Sequence, residues 1–219
     1  MKNPQSVGLF GGTFDPVHIG HLRTAMELRD LLHLEEMRLV PCANPYHREA
    51  TTATSDQRLA MLRLAVADNP ALTVDERELH REGPSYTFDT LVEVREELGS
   101  DIPIMLCMGM DSLISLASWH NWESLVELAH IVAACRPGFE LSAKGAVTEL
   151  VKQRQVESIR LLHEQPCGGI LIKTMTLLPI SATELREAVR EGHSLKYLVP
   201  DSIAAYIREQ GLYRNPTTH

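Results

Sequence analysis

The chain has no excess of positive charge, no paired cysteines and no long apolar run, and each absence removes a class of function. Lys and Arg number 21 against 29 Asp and Glu, a formal net charge of −8. That balance argues against a general nucleic-acid-binding surface and confines any anion site to a few local His and Arg residues. The four cysteines, Cys42, Cys107, Cys135 and Cys167, show neither a disulfide framework nor metal-ligand spacing. Cys107 and Cys135 sit inside apolar runs, as buried thiols do, and this usage fits a reducing cytoplasm. No apolar stretch approaches membrane-spanning length, and the start MKNPQS lacks the apolar core of a secretion signal. A soluble, cytoplasmic protein without membrane or nucleic-acid partners is expected. The dinucleotide fingerprint G-x-G-x-x-G, the phosphate-loop pattern G-x-x-x-x-G-K-[ST] and the zinc motif H-E-x-x-H are all missing. Repeats, low-complexity stretches and domain linkers are missing too, so residues 1–219 read as one domain. With 44% hydrophobic residues the chain can build a sizeable core.

What is present is an alternation of strands and helices. Strand-like segments end near Phe10 and cover residues 37–41, 72–75, 102–108, 131–135 and 170–175. The run IPIMLCM at 102–108 is apolar on both faces and reads as a central parallel strand. Helical periodicity follows Leu22, Ala25, Met26, Arg29 and Leu32. It returns after Thr54 or Ser55, over residues 86–98 closed by Gly99, over 143–156, after Ser181, and from about Ser202 to Gly211. Strands interleaved with helices imply an α/β fold, a Rossmann-like doubly wound parallel sheet with a small helical C-terminal end. Such sheets bind ligands beyond the carboxyl ends of their strands. Gly11 and Gly12, the loop holding Asn44 and His47, Gly109 to Asp111, and Arg136 all fall at that edge.

Two segments carry chemistry. The first is VGLFGGTFDPVHIGHL, from Val7 to Leu22. Gly11 and Gly12 suggest a sharp turn and a close approach of backbone N–H groups to a ligand. His18 and His21, three apart at a helix start, add donors where unsatisfied N–H groups and the helix dipole already favour anions. This predicts a dibasic cradle for a triphosphate. Taken singly, the glycines could be an ordinary turn and the histidines surface residues. His-x-x-His could ligate zinc, but nothing nearby completes a site.

The second segment is ISATELR, from Ile180 to Arg186. Ser181 with Glu184 has capping-box spacing, which predicts a helix start. Capping requires neither Thr183 nor Arg186, which place a hydroxyl and a guanidinium beside a second anion-attracting helix terminus. Two such termini at one sheet edge would hold both ends of a triphosphate.

GGTFDPVHIGHL together with ISATELR resembles the nucleotidyltransferase family with the (H/T)xGH signature and a late ISSTxxR motif. Within it the chain is most similar to bacterial nicotinate-nucleotide adenylyltransferases, over residues 7–213. NPYHRE, PSYTFDTL, MGMDSL, the Trp119 segment, AHIVAACRPG and the final VP–YI–LY pattern carry that closer likeness. Tyr46 and Arg48 stand where the family often has Pro and Lys, and Ala182 replaces the second Ser of ISST.

The resemblance implies transfer of AMP from ATP to nicotinate mononucleotide, with Mg2+ carried on the ATP phosphates and no dedicated metal ligands. His18, His21 and Arg186 would be catalytic. Backbone from Gly11 and Gly12 through Thr13 and Phe14, with Gly109, Asp111, Ser181 and Thr183, would bind ATP. Asn44, His47, Thr87, Trp119 and Arg136 would bind the second substrate, with Trp119 stacking on the pyridine ring. Asp111 could instead be a helix N-cap, Trp122 a core residue, and Tyr86 and Phe88 inward-packing neighbours of Thr87. Sibling chemistry on phosphopantetheine or nicotinamide mononucleotide, and a non-catalytic nucleotide sensor, use the same two motifs. An apolar α/β surface could also support a homo-oligomer.

Overall fold

The computed structural model describes residues 5–43, 51–137 and 144–215. Its parallel sheet contains all the expected strands: β1 (Val7–Gly12), β2 (Glu36–Pro41), β3 (Leu72–Val74), β4 (Ile104–Gly109), β5 (His130–Cys135) and β6 (Ile170–Thr174). They lie in the order β3-β2-β1-β4-β5-β6, and every pairing is parallel. Parallel pairing requires crossovers, and helices supply them on both faces.

The central strands are apolar throughout because each face meets its own helical layer. Met105 and Cys107 of β4 join one core cluster with Val132, Leu39 and Phe10. Ile104, Leu106 and Met108 join the other with Ile131, Leu9 and Val7.

Helices α1 (Ile19–Leu31), α2 (Ser55–Val66), α3 (Arg77–His80), α4 (Thr87–Leu98), α5 (Met110–Ile114), α6 (Ala146–Arg154), α7 (Ile159–Glu164), α8 (Ala182–Arg190) and α9 (Asp201–Glu209) complete the order. No periodicity announces α3, α5 or α7, whose 4, 5 and 6 residues are too few to show one. Helix α6 begins at Ala146, after Gly145 at φ 136°; residue 143, where a helix was expected to start, lies outside the described residues. Thr54 caps α2 through a reciprocal box with Gln57, at 3.2 and 2.9 Å. No helix among the described residues is long and apolar enough to cross a membrane.

One expectation needs correction. Gly11 and Gly12 do not make the turn after β1. They continue the strand, in register with Val40 and Pro41 of β2. The chain turns at Phe14, a non-glycine residue at φ 52°. Gly12 is required for another reason: a Cβ there would lie 2.9 Å from the Phe14 ring.

The loop after β1 is anchored from below by Arg58 of α2, whose side chain is fully buried. Its guanidinium donates to the carbonyls of Thr13 (2.8 Å), Cys42 (2.7 Å) and Ala43 (3.1 Å) and to Ser55 Oγ (3.1 Å). Arg58→Met would leave these carbonyls without that donor. At ~1–3 kcal/mol for each unsatisfied buried group, the variant should lose at least ~3 kcal/mol. Urea unfolding of both proteins checks this, and equal midpoints would contradict it.

Candidate active site

In the strand order, the chain runs outward from β1 through β2 to β3 on one side and from β4 through β5 to β6 on the other. The crevice at such a reversal is where open α/β sheets hold ligands. Gly11 is the penultimate residue of β1 and Gly109 ends the adjacent β4. Both are exposed, and a Cβ at either would meet nothing within 4 Å. Bare backbone therefore floors the opening.

His18 is the N-cap of α1, and its Nδ1 accepts the backbone N–H of His21 at 3.3 Å. With Nδ1 occupied as an acceptor, the ring proton resides on Nε2, which remains a donor. The ring stacks on His21 with centroids 3.6 Å apart, and Phe14 meets His21 edge-on at 5.1 Å. His18 is only 4% exposed, and burial pushes its pKa down to about 4. The expected dibasic helix start is thereby corrected: at neutral pH His18 is an uncharged donor. The glycine of His-x-Gly-His also acquires a physical reason. A Cβ on Gly20 would stand 3.0 Å from His18 Nδ1 and 3.1 Å from its Cε1, so the ring would have to give by a few tenths of an ångström from its capping position.

The second motif lies against the first. The same Cβ would be 3.6 Å from the Cβ of Ile180, just before α8. Ser181 is the N-cap of α8 but makes no side-chain cap bond, so the expected capping box with Glu184 does not form. Arg186 reaches across instead. Its Nη1 donates to the Asp15 carbonyl at 2.7 Å and its Nη2 to Thr183 Oγ1 at 3.2 Å. His18, His21, Thr183 and Arg186 are thus brought together at two neighbouring helix starts.

The residues expected for the second substrate are more dispersed. Thr87 is the first residue of α4, and Tyr86 before it stacks on His120 at 4.3 Å. That stack joins the α4 start to Trp119, which is half-buried against the core alongside Phe88 and Trp122. Tyr86 therefore faces His120 rather than packing inward, whereas Phe88 does reach the core. Arg136 is exposed one residue past β5. Asp111 is exposed in the first turn of α5; Gly109 is the N-cap, which rules out a capping role for Asp111. Asn44 and His47 lie outside the described residues.

Sequence reading missed Asp15, Arg58, His120 and Tyr213. Asp15 and Tyr213 stand inside the quoted GGTFDPVHIGHL and VP–YI–LY segments without a role being read for them, and Arg58 shows as a charge on the apolar face of α2 at helical spacing from Leu62.

Two outcomes follow from this geometry. Gly20→Ala should stay folded, with its helix favoured by up to ~1 kcal/mol, yet lose ATP binding as His18 is displaced; calorimetric titration with parallel melting checks both. The His18 ring should remain neutral down to about pH 5, with a midpoint near 4. The ordinary histidine pKa of ~6.5 holds when unfolded, so the unfolded chain takes up the proton first as pH falls from there. This residue should then remove up to ~3 kcal/mol of stability by about pH 4, and none further below. Nitrogen-15 NMR of the imidazole checks it, and a midpoint near ~6.5 would overturn it.

Residues 9–188 match the cytidylyltransferase-like family. A chain from Aeromonas salmonicida (strain A449), named probable nicotinate-nucleotide adenylyltransferase, is 49% identical over 98% of this chain and 99% of its own. A chain of the same name from Cellvibrio japonicus (strain Ueda107) is 47% identical over 95% and 99%. Among solved structures, Plasmodium falciparum nicotinic acid mononucleotide adenylyltransferase complexed with NaAD superposes with a TM-score of 0.71. It covers 95% of this chain and 97% of its own at 17% identity, a likeness of fold. The chain belongs to the cytidylyltransferase-like family and, within it, to the nicotinate-nucleotide adenylyltransferases.

Proposed function

We infer that this chain transfers the AMP part of ATP to nicotinate mononucleotide, giving nicotinic acid adenine dinucleotide and pyrophosphate. The observation that carries this reading is the convergence of His18 and Arg186, from two adjoining helix starts, beside a crevice floored by the backbone of Gly11 and Gly109. The acceptor phosphate is already an anion at neutral pH, so no general base is needed. One of its oxygens forms a bond to the α-phosphorus of ATP as the bond to the bridging oxygen breaks, and pyrophosphate departs with that electron pair. The demands on the protein are in-line positioning and stabilisation of developing charge.

A neutral His18 meets that demand by donating Nε2–H to an α-phosphate oxygen, with His21 beside it. Arg186 has N–H donors beyond the two committed to Asp15 and Thr183, and these would hold the β- and γ-phosphates. The hydroxyls of Ser181 and Thr183 and the N–H groups of the α8 start lie alongside. Among the described residues, no three His, Cys, Asp or Glu side chains are grouped to hold a metal ion. Mg2+ would arrive on the ATP phosphates and would neutralise charge on the departing pyrophosphate. Backbone from Gly11 through Thr13 and Phe14 would line the nucleotide, and Asp111 would meet the ribose. Trp119 would stack on the pyridine ring, Thr87 would donate to the carboxylate, and Arg136, with Asn44 and His47, would take the acceptor phosphate.

Magnesium-dependent pyrophosphate release should be strongest with nicotinate mononucleotide when nicotinamide mononucleotide and phosphopantetheine are run in parallel. Strongest release with another acceptor would overturn the substrate assignment and keep the chemistry. No release from ATP-binding protein would make it a sensor. His18→Ala should lower kcat by ~10²–10³ with the fold intact. Trp119→Ala should raise the KM for nicotinate mononucleotide and leave that for ATP unchanged; equal effects would make Trp119 a packing residue.

A further inference from the structure

The loop between the two phosphate-binding helix starts is held by a residue from the far end of the chain. Asp15 is 5% exposed. Its Oδ1 accepts the Tyr213 hydroxyl at 2.7 Å and the Ala53 N–H at 3.2 Å, and its Oδ2 accepts the Thr52 N–H at 2.7 Å. Its backbone carbonyl accepts Arg186 Nη1 at 2.7 Å. One residue therefore joins the segment after β1, the segment leading into α2, helix α8 and the C-terminal tail. Tyr213 is itself 5% exposed. After α9 the tail turns back through two residues in the left-handed region, Gly211 and Tyr213, both at φ 63°. For a tyrosine that conformation is unfavourable and persists only where the surroundings fix it.

We propose that Tyr213 is a positioning residue for adenylyl transfer, acting through Asp15 to hold Arg186 where it meets the ATP phosphates. The proposal rests on the phosphate-binding role given to Arg186 above. With its carboxylate held on both oxygens, Asp15 cannot swing, and its carbonyl presents a fixed acceptor to Nη1. That bond, with the one from Nη2 to Thr183, sets the guanidinium plane and leaves further N–H groups for the ATP phosphates. Without the tyrosine hydroxyl, Oδ1 keeps only the longer Ala53 bond, and Asp15, whose carbonyl orients Arg186, is held from the Thr52–Ala53 side alone. Burial, and then the Asp15 carboxylate, raise the pKa of the Tyr213 phenol, so the hydroxyl keeps its proton and remains the donor.

The test is a double-mutant cycle of Tyr213→Phe and Arg186→Ala, read in ATP affinity by calorimetry, in turnover, and in melting temperature. Tyr213→Phe keeps the buried ring and removes a single hydrogen bond. It should weaken ATP binding about tenfold in the otherwise native chain, leave the KM for nicotinate mononucleotide unchanged, and cost nothing further once Arg186 is alanine. The same loss in both backgrounds would overturn the proposal, because Tyr213 would then act independently of Arg186. ATP affinity unchanged by either single substitution would overturn it as well. So would a Tyr213→Phe chain unfolded at the assay temperature, since the hydroxyl would then be purely structural. If the native chain binds ATP but releases no pyrophosphate, the reaction reading fails, while the cycle in ATP affinity still decides this proposal.

Discussion

The site depends on how the short segment from Thr13 to Val17 is held between the end of β1 and the start of α1. A parallel strand that stops at a ligand crevice must expose backbone there, and its carbonyls turn away from the sheet ladder. Here they meet arginines. Arg58 takes the Thr13 carbonyl from within the core, and Arg186 takes the Asp15 carbonyl from the α8 side. Phe14, at positive φ between them, packs its ring under Gly12 and against His21. The cost of that conformation is met by burial of the ring and by the bonds on either side of it. Arg58 also takes the Cys42 and Ala43 carbonyls. The loops after β1 and β2 therefore share one donor and keep one relative position.

The electrostatics follow from the same burial. An acidic chain could place a cluster of cations at a triphosphate site, but this one places a neutral imidazole at the α1 start. Desolvation disfavours the protonated ring, and the positive end of the helix dipole acts in the same direction. A neutral N–H donor binds phosphate oxygens without adding a proton equilibrium near neutral pH. The positive charge comes instead from the guanidinium of Arg186.

Much of this was legible in the sequence, for physical reasons that differ by element. The strands showed because two buried faces demand continuous apolar runs, as in residues 102–108 and 131–135. The helix starts showed because their donors are local in sequence: His18 with His21, and Thr183 with Arg186. Short helices such as α5 and α7 did not show, since fewer than two turns carry no period. The Gly11-Gly12 pair misled because glycine signals freedom without saying what it is for. Here it serves open space above the strand end and room for the Phe14 ring, while the turn itself falls on a phenylalanine. The capping box failed for a related reason: spacing shows that Ser181 and Glu184 are compatible with a box, not that the bond forms. Asp15, Arg58 and Tyr213 were hidden because their partners are set by the fold, with 198 residues separating Asp15 from Tyr213.

The two halves of the site differ in construction, and that difference bears on specificity. On the proposed ATP side His18 and Asp15 are buried, and Asp15 is bonded at several points, so changing either would disturb its neighbours. On the proposed acceptor side lie partly exposed rings, Tyr86 stacked on His120 and Trp119 resting on the core beside Phe88, with the Arg136 guanidinium in the open past β5. Substitutions there would alter contacts with an acceptor without breaking a buried network, and their cost to folding would be correspondingly small. A fold built this way can keep its adenylyl-donor chemistry fixed while the acceptor changes. On the proposed assignment, recognition of the donor would be written in two compact motifs, and recognition of the acceptor scattered over α4, the Trp119 segment and the end of β5.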